Sequence, residues 1–504
     1  MRKGLGMAAV IGSRCRGLFL VVGFAGALAL TGCRQLAVDG RAELAHQDGK
    51  GGQRVGDAEA VARQMGVVAD AEKTAYLNVV GKRLTEQIPD RQLPCNIAIL
   101  DQATPNAFAL ADGHIFVSRG LLALANSEDE IAGVLAHEIV HYWRRHHVKS
   151  AQRRRLPRLL SLPGRAVSGV INDDLGALLN LPVNMLGGAF LASYGRHHEF
   201  ESDKFGVQLA AAAGYDPAGL PTMLARMEKE GQLSGHSAGV PSFLNTHPLT
   251  PRRLWRCRAQ AGKVVRKDIP PIAKGRTEFL QKMAGLLVGE SPGLGVFTGG
   301  RFLHPDLGFV IEFPEGWRTV NTRAAAGAVS PQKDACIFLG VAGRGAQPKQ
   351  RAEALAQKMA AAHGLRPDRS EAVTVGPYTG HLLTFSDTTA GDPASMYFLW
   401  FGRDDLVFQV IGLATPARLD TLKKTVRSFR SPTPAERDAI QARYLHTAVL
   451  RPGEDLERLS KRTGNAWSSA MTHLANGVET GTALQTGSPV KVSVARRYSS
   501  LEER

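Results

Sequence analysis

The sequence predicts an α+β chain of several domains: a mainly helical domain with a small sheet, an α/β sandwich-like domain, and a small C-terminal module. Three observations predict this. The 504 residues exceed what one ordinary core accommodates. Apolar residues recur at helical spacing through most of 57–265, and strand-like runs dominate 301–432. With 44% hydrophobic and 21% charged residues, the composition excludes a disordered or fully membrane-embedded chain.

Arg2, Lys3, Arg14 and Arg16 precede an apolar run at 18–30 that ends in Leu30-Thr31-Gly32-Cys33. The run is short of the roughly 20 residues a bilayer span needs, so 1–32 reads as an export signal. Leu-Thr-Gly-Cys resembles the bacterial lipoprotein box, which implies a lipid on Cys33 and the periplasmic face of a membrane. Arg34 follows where an inner-membrane retention signal has aspartate, so the outer membrane is favoured. Residues 33–56, rich in Gly, Gln and charge, read as a tether.

In 57–265, Val61, Met65, Val68, Tyr76, Val79, Val80 and Leu84 follow helical spacing, and the runs 96–100 and 114–117 read as strands. Ser127 with Glu130 forms a capping-box signature ahead of a stripe of Ile131, Val134, Leu135 and Ile139, so a helix starts near Ser127. The basic, Leu/Gly/Pro-rich stretch to Ala192 reads as a hairpin or lid. Helices are expected at about 198–213 and 217–230. The Gly- and Pro-bearing 266–300 reads as a linker. In 301–432, strands at 309–313, 335–341, 378–386, 395–401 and 406–413 and helices at 352–362 and 419–429 suit an antiparallel sheet covered by helices.

A net charge of +16 would, in a cytosolic protein, raise nucleic-acid binding. Export removes most of that expectation and leaves two readings open: a surface for anionic lipid headgroups, lipopolysaccharide or peptidoglycan, and a solvated basic surface that merely confers solubility. Cys33, Cys95, Cys257 and Cys336 form no CxxC pair, so no cysteine zinc site is offered, and one disulfide or three separate thiols both remain open.

The chemistry centres on His137-Glu138-Ile139-Val140-His141. Histidines at i and i+4 on a helix share one face, and both imidazoles can reach one zinc ion at about 2.1 Å. Glu138, beside them, can hold a water and take its proton. A catalytic zinc needs a third protein ligand. His146 and His147 read as solvated. Glu199 and Asp203 share a helix face, so one can bind metal while the other hydrogen-bonds a ligand histidine, and Glu201 points away. The same acids also suit a helix N-terminus.

Asn106-Ala107-Phe108-Ala109-Leu110, Gly113-His114-Ile115-Phe116-Val117, Gly120-Leu121-Leu122, HExxH, 196–203, Ala213-Gly214-Tyr215-Asp216-Pro217 and Thr246-His247-Pro248 together resemble the CAAX prenyl protease and HtpX family of gluzincins. With the lipoprotein signal, the chain is similar to its periplasmic branch, of which the BepA proteases are an example. The resemblance covers about 57–260. It implies a zincin-type metalloendopeptidase with one zinc per chain, acting on unfolded or misassembled polypeptides. It implies Glu199 as third ligand, Asp203 orienting a histidine, His247 approaching the zinc from a loop, and Arg253 helping to bind the oxyanion. Asn106, His114, Ile115 and Phe116 become substrate contacts along a presumed edge strand. Two features depart from the family: Ala111-Asp112-Gly113 replaces the usual Pro-Gly-Gly turn, and the helical-repeat tail is absent. Residues 433–504 resemble a degenerate LysM-type peptidoglycan-binding module, with a βα cap on the preceding domain as the alternative. A rival to the enzyme is a lipid-anchored, chaperone-like binder of peptidoglycan or clients with a vestigial zinc site.

Overall fold

The computed structural model describes residues 55–499 apart from 90–92, 147–193, 235–241, 333, 346, 388–393, 480, 481 and 483. The expected signal, tether, lipid-bearing Cys33 and the lid stretch up to Ala192 lie outside the described residues, except the lid's first few positions.

The first core is built on helices α1 (Val55–Met65) and α2 (Ala71–Thr85) and a three-stranded sheet of β1 (Asn96–Leu100), β2 (Ala107–Ala109) and β3 (His114–Ser118). Asp70 caps α2 by accepting from the Lys73 amide. The strand order is β1-β3-β2, parallel then antiparallel, so β3 is the central strand. The departing turn at 111–113 closes because Gly113 takes φ +92° and Asp112 accepts the His114 amide at 3.1 Å. A Cβ on Gly113 would meet the Pro94 carbonyl at 2.4 Å.

Helices α3 (Arg119–Leu124), α4 (Glu128–Trp143), α5 (Arg196–Ala212), α6 (Gly219–Ser234), α7 (Phe243–Thr246), α8 (Pro251–Ala261) and α9 (Gly275–Met283) complete this core. α4 is buried along almost its whole length. Only half of the expected capping box forms. Ser127 accepts from the Glu130 amide, but the Glu130 carboxylate turns to the Asn126 amide and to Arg226. Two glycines let α4 sit deep. A Cβ on Gly206 of α5 would lie 3.1 Å from the His137 backbone, and one on Gly133 would lie 2.6 Å from the Leu220 amide. Larger residues at either place would push a neighbouring helix off the one that carries the HExxH pattern.

The stretch 266–300 is built into the structure rather than left as a connector. Phe279, Leu280 and Met283 of α9 are buried in the first core, and β4 (Leu287–Val288) pairs with a strand of the last module. Burial of one apolar helix face, worth roughly 1.5–3 kcal/mol per large side chain, outweighs the turn-forming tendency of the surrounding glycines and prolines.

A meander of β5 (Val296–Thr298), β6 (Arg301–His304) and β7 (Phe309–Glu312) leads into β8 (Arg318–Asn321), β9 (Ala325–Val329), β10 (Ala335–Arg344), α10 (Pro348–His363), β11 (Arg369–Val375), β12 (Tyr378–Asp387), β13 (Ala394–Arg403), β14 (Leu406–Ala414) and α11 (Leu419–Arg427). These strands form a seven-stranded antiparallel sheet, order β11-β12-β13-β14-β10-β9-β8. Period-two alternation decides its layers. Met396, Phe398 and Trp400 meet α10, while Tyr397, Leu399 and Phe401 meet α11 and the meander.

After α12 (Pro434–Asp438), the last module runs β15 (Gln441–Val449), α13 (Leu456–Thr463), α14 (Ser469–Asn476), β16 (Pro489–Arg497), its strands ordered β16-β15-β4. It is joined to the first core by the fully buried Lys491. Its ammonium donates to the carbonyls of Ala123, Leu124 and Ala125 at 2.7, 3.1 and 2.8 Å, where α3 ends and the approach to α4 begins. Arg276 ties Asn126 to Asn476 across the same seam. The architecture is therefore mixed α and β in several domains, as expected. Cys95, Cys257 and Cys336 are all free thiols.

Candidate metal centre

α4 presents His137 and His141 one turn apart, their Nε2 atoms 3.0 Å from each other. Glu199, in the first turn of α5, brings Oε1 to 3.3 Å from His141 Nε2 and Oε2 to 3.7 Å from His137 Nε2. His247, after the short α7, places Nδ1 3.3 Å from His137 Nε2 and 3.1 Å from Glu199 Oε1. One donor atom from each of these four residues lies within 4.8 Å of all the others. His137, Glu138 and His247 are 0% exposed.

The outer nitrogens face polar neighbours, the Asp203 contact lying outside good hydrogen-bond geometry. Asp203 Oδ1 lies 3.1 Å from His137 Nδ1, and His146 Nδ1 lies 3.1 Å from His141 Nδ1. Each Nε2 is thereby turned inward, so two imidazole lone pairs, a carboxylate and a third imidazole face one small volume. Three imidazoles and one carboxylate converging on one volume are a donor set that suits zinc. The residues fit a divalent metal.

Electrostatics prepare the same set. Burial pushes the Glu199 carboxyl up, but His247, Arg253 and the bond to His141 outweigh it and hold it well below the usual carboxylate range. Burial drives His141 well below the usual imidazole value, keeping it neutral. An ionised carboxylate and a neutral imidazole are the forms that bind metal. Glu138 is raised, chiefly by burial. Neither of its oxygens makes a hydrogen bond of good geometry, and His247 Nε2 lies 3.4 Å away. A buried carboxylate with only imperfect contacts is costly, and here it lies beside the cluster.

Arg253, expected to help bind the oxyanion, reaches the cluster through Glu199. Its guanidinium gives two 2.8 Å bonds to Asp203, further bonds to the His247 and Pro248 carbonyls, and an ion pair to Glu199. It fixes both the acid behind His137 and the loop that carries His247. Asp203→Asn is expected to weaken zinc affinity by roughly 10–100-fold, measured by chelator competition, because His137 loses its anionic partner.

The substrate edge expected at 114–117 is not an edge, because β3 is paired on both sides and Ile115 and Phe116 are buried. The outer strand is β2, which Asn106 precedes. The Leu110 amide donates to His114 O, and the Ser118 amide to Asn106 O. By antiparallel alternation the peptides of Ala107 and Ala109 therefore turn away from β3, and that of Ala109 lies against Glu138. His114 instead pairs with Asp112.

Several contributors escaped sequence reasoning. His146, expected in solvent, is buried. It meets His141, Ser202 and Glu201, stacks on His198 at 4.4 Å, and so draws in Glu201 as well. α4 ends at Trp143 and Arg145 takes φ +54°, which folds His146 back onto the helix. A glycine at that position would have signalled the reversal, but none is present. Tyr194 covers His141 at 4.0 Å between ring centres, and its amide donates to Thr246 O beside His247.

Residues 71–261 match the family model "Peptidase family M48". The chain is 25% identical over 240 residues to the beta-barrel assembly-enhancing protease of Escherichia coli, covering 47% of this chain and 46% of that one. It is 28% identical over 203 residues to the protein of the same name in Yersinia pestis, covering 39% and 41%. It is 32% identical over 182 residues to the mitochondrial metalloendopeptidase OMA1 of Schizosaccharomyces pombe, covering 36% and 51%. The chain thus spans about half the length of the curated relatives it matches. Family model, relatives and the four-residue cluster coincide on one stretch: residues 71–261 match the Peptidase family M48 domain, and the cluster they hold could bind a metal.

Proposed function

We propose that the chain is a zinc-dependent metalloendopeptidase that hydrolyses misfolded or unassembled proteins of a bacterial cell envelope. The observation that carries this reading is the convergence of His137, His141, Glu199 and His247 beside the buried carboxylate of Glu138, whose oxygens make no hydrogen bond of good geometry. Relatives named for β-barrel assembly support an envelope substrate.

His137, His141 and Glu199 would hold one zinc ion per chain, which would supply a Lewis acid for the scissile carbonyl and an acidified water. An extended substrate segment adds along the outward peptides of Ala107 and Ala109, which brings its carbonyl beside Glu138. Glu138 holds the attacking water, takes its proton and returns it to the leaving amine. Asp203 and Arg253 keep His137 and the 243–247 loop in register. His247 fills the place that water needs, so the closed arrangement is a resting one and the loop must swing away before turnover.

The purified protein should carry about one zinc per chain and cleave casein, with cleavage lost to a chelator and restored by zinc. A protein that binds no zinc and leaves casein intact would end the proposal. His247→Ala should raise casein turnover, roughly tenfold if the closed loop is favoured by about 1.4 kcal/mol. Unchanged or lower turnover would remove self-closure.

The envelope placement rests on the lipoprotein box at Cys33. Among the described residues no helix is long and apolar enough to cross a membrane. Cys33→Ala should abolish incorporation of labelled palmitate. The outer membrane as location and peptidoglycan as partner of the C-terminal βααβ module belong to the same proposal.

A further inference from the structure

The outer face of α8 has no role in the chemistry above. Arg253, Cys257 and Ala261 form its buried side, with Arg253 reaching the metal cluster. At 100° per residue the opposite side centres on Trp255, flanked by Arg252 and Arg258. Trp255 is 68% exposed, among the largest exposures of any big apolar side chain among the described residues. Arg256, next to it, lies over the Phe200 ring at 4.4 Å, which joins this face to the exposed stripe of α5 that continues to Lys204.

The charged side chains of α8 itself are all cationic. Between His247 and Lys267 the sequence holds no Asp or Glu, while Arg252, Arg256, Arg258, Lys263, Arg266 and Lys267 are all exposed. Val265, within the same run, is 90% exposed. A tryptophan among arginines has an apolar body, a polar edge and surrounding cations, which is the composition that sits at headgroup depth in an anionic bilayer.

We infer that the outer face of α8, centred on Trp255 and ringed by Arg252, Arg256 and Arg258, seats the protein on anionic phospholipid. The inference rests on the envelope placement proposed above, since only a chain held near a bilayer meets such a surface. The seated helix is also the one whose inner side fixes the His247 loop, so the closed metal centre lies one helix thickness from the lipid headgroups.

The test uses the full chain, reconstituted with its own anchor into vesicles whose lipids carry bromine on the upper acyl chain, a short-range quencher of indole. One set contains phosphatidylglycerol and the other only zwitterionic lipid. Trp255 is one of five tryptophans, so seating should remove roughly a fifth of the emission in the anionic set and almost none in the zwitterionic set. Trp255→Phe should abolish that difference, and Arg252→Ser with Arg258→Ser should reduce it at least by half, with casein cleavage unchanged in both variants. Flotation reads the anchor separately. Flotation with both lipids but no anionic-specific quenching overturns the seating and leaves the anchor standing. Flotation with quenching on anionic vesicles alone supports the seating and removes the anchor. Equal quenching in both sets, quenching that survives Trp255→Phe, or no flotation at all overturns the inference.

Discussion

Glu138→Gln is expected to abolish cleavage of casein, a loss of at least 10²–10⁴-fold in kcat, while zinc content stays near one per chain. The amide fills the same space and changes no ligand, so metal binding and folding are spared. What disappears is the proton acceptor. In the wild type that carboxyl is raised by burial and finds no hydrogen-bond donor of good geometry, so it is free to take a proton from water and to release it again. Zinc analysis by mass spectrometry beside a casein assay reads both quantities on one sample. Full activity would remove Glu138 from the reaction, and loss of zinc would show that it supports the metal instead. The same variant separates the enzyme from a client-binding protein with a vestigial site, because a binder would hold its clients equally well before and after the change.

Lys491→Met is expected to lower the thermal midpoint of the first core by roughly 5–10 °C, from a destabilisation of about 2–4 kcal/mol. Methionine keeps most of the volume but leaves the carbonyls of Ala123, Leu124 and Ala125 without their donor. Each buried acceptor left alone costs about 1–3 kcal/mol. Part of this is offset, because burying an ammonium beside Arg226 and Arg276 is itself unfavourable. The pH dependence distinguishes the two effects. Burial first, then the two arginines, hold Lys491 well below its ordinary value of 10.5, so between the two values the unfolded chain binds the extra proton. Stability therefore rises with pH across that window, and the rise attributable to this group ends near 10.5. Calorimetric scans toward alkaline pH should show this rise in the wild type and its absence in Lys491→Met. Parallel profiles would mean that the lysine is not charged-state sensitive.

What was legible in the sequence was what spacing along one element decides. Histidines four apart on a helix, an acid pair four apart on the next, and the period-two strands of 301–432 all depend on local geometry. What was not legible depends on partners far away in sequence. Strand order is one case: nothing within 114–117 reveals that 96–100 and 107–109 close both of its sides. His146 is another, since one left-handed residue without a glycine reverses its direction. Lys491 sits between Val490 and Val492, and alternation turns it away from their face. That direction reads as solvent until the peptidase core is seen to occupy it.

Because the socket formed by the Ala123, Leu124 and Ala125 carbonyls is filled by a residue far downstream, the first core cannot reach its final packing while the ribosome still holds the rest of the chain. The order of chain delivery thus builds in a delay. A domain assembled this way completes its scaffold only once 489–497 has arrived.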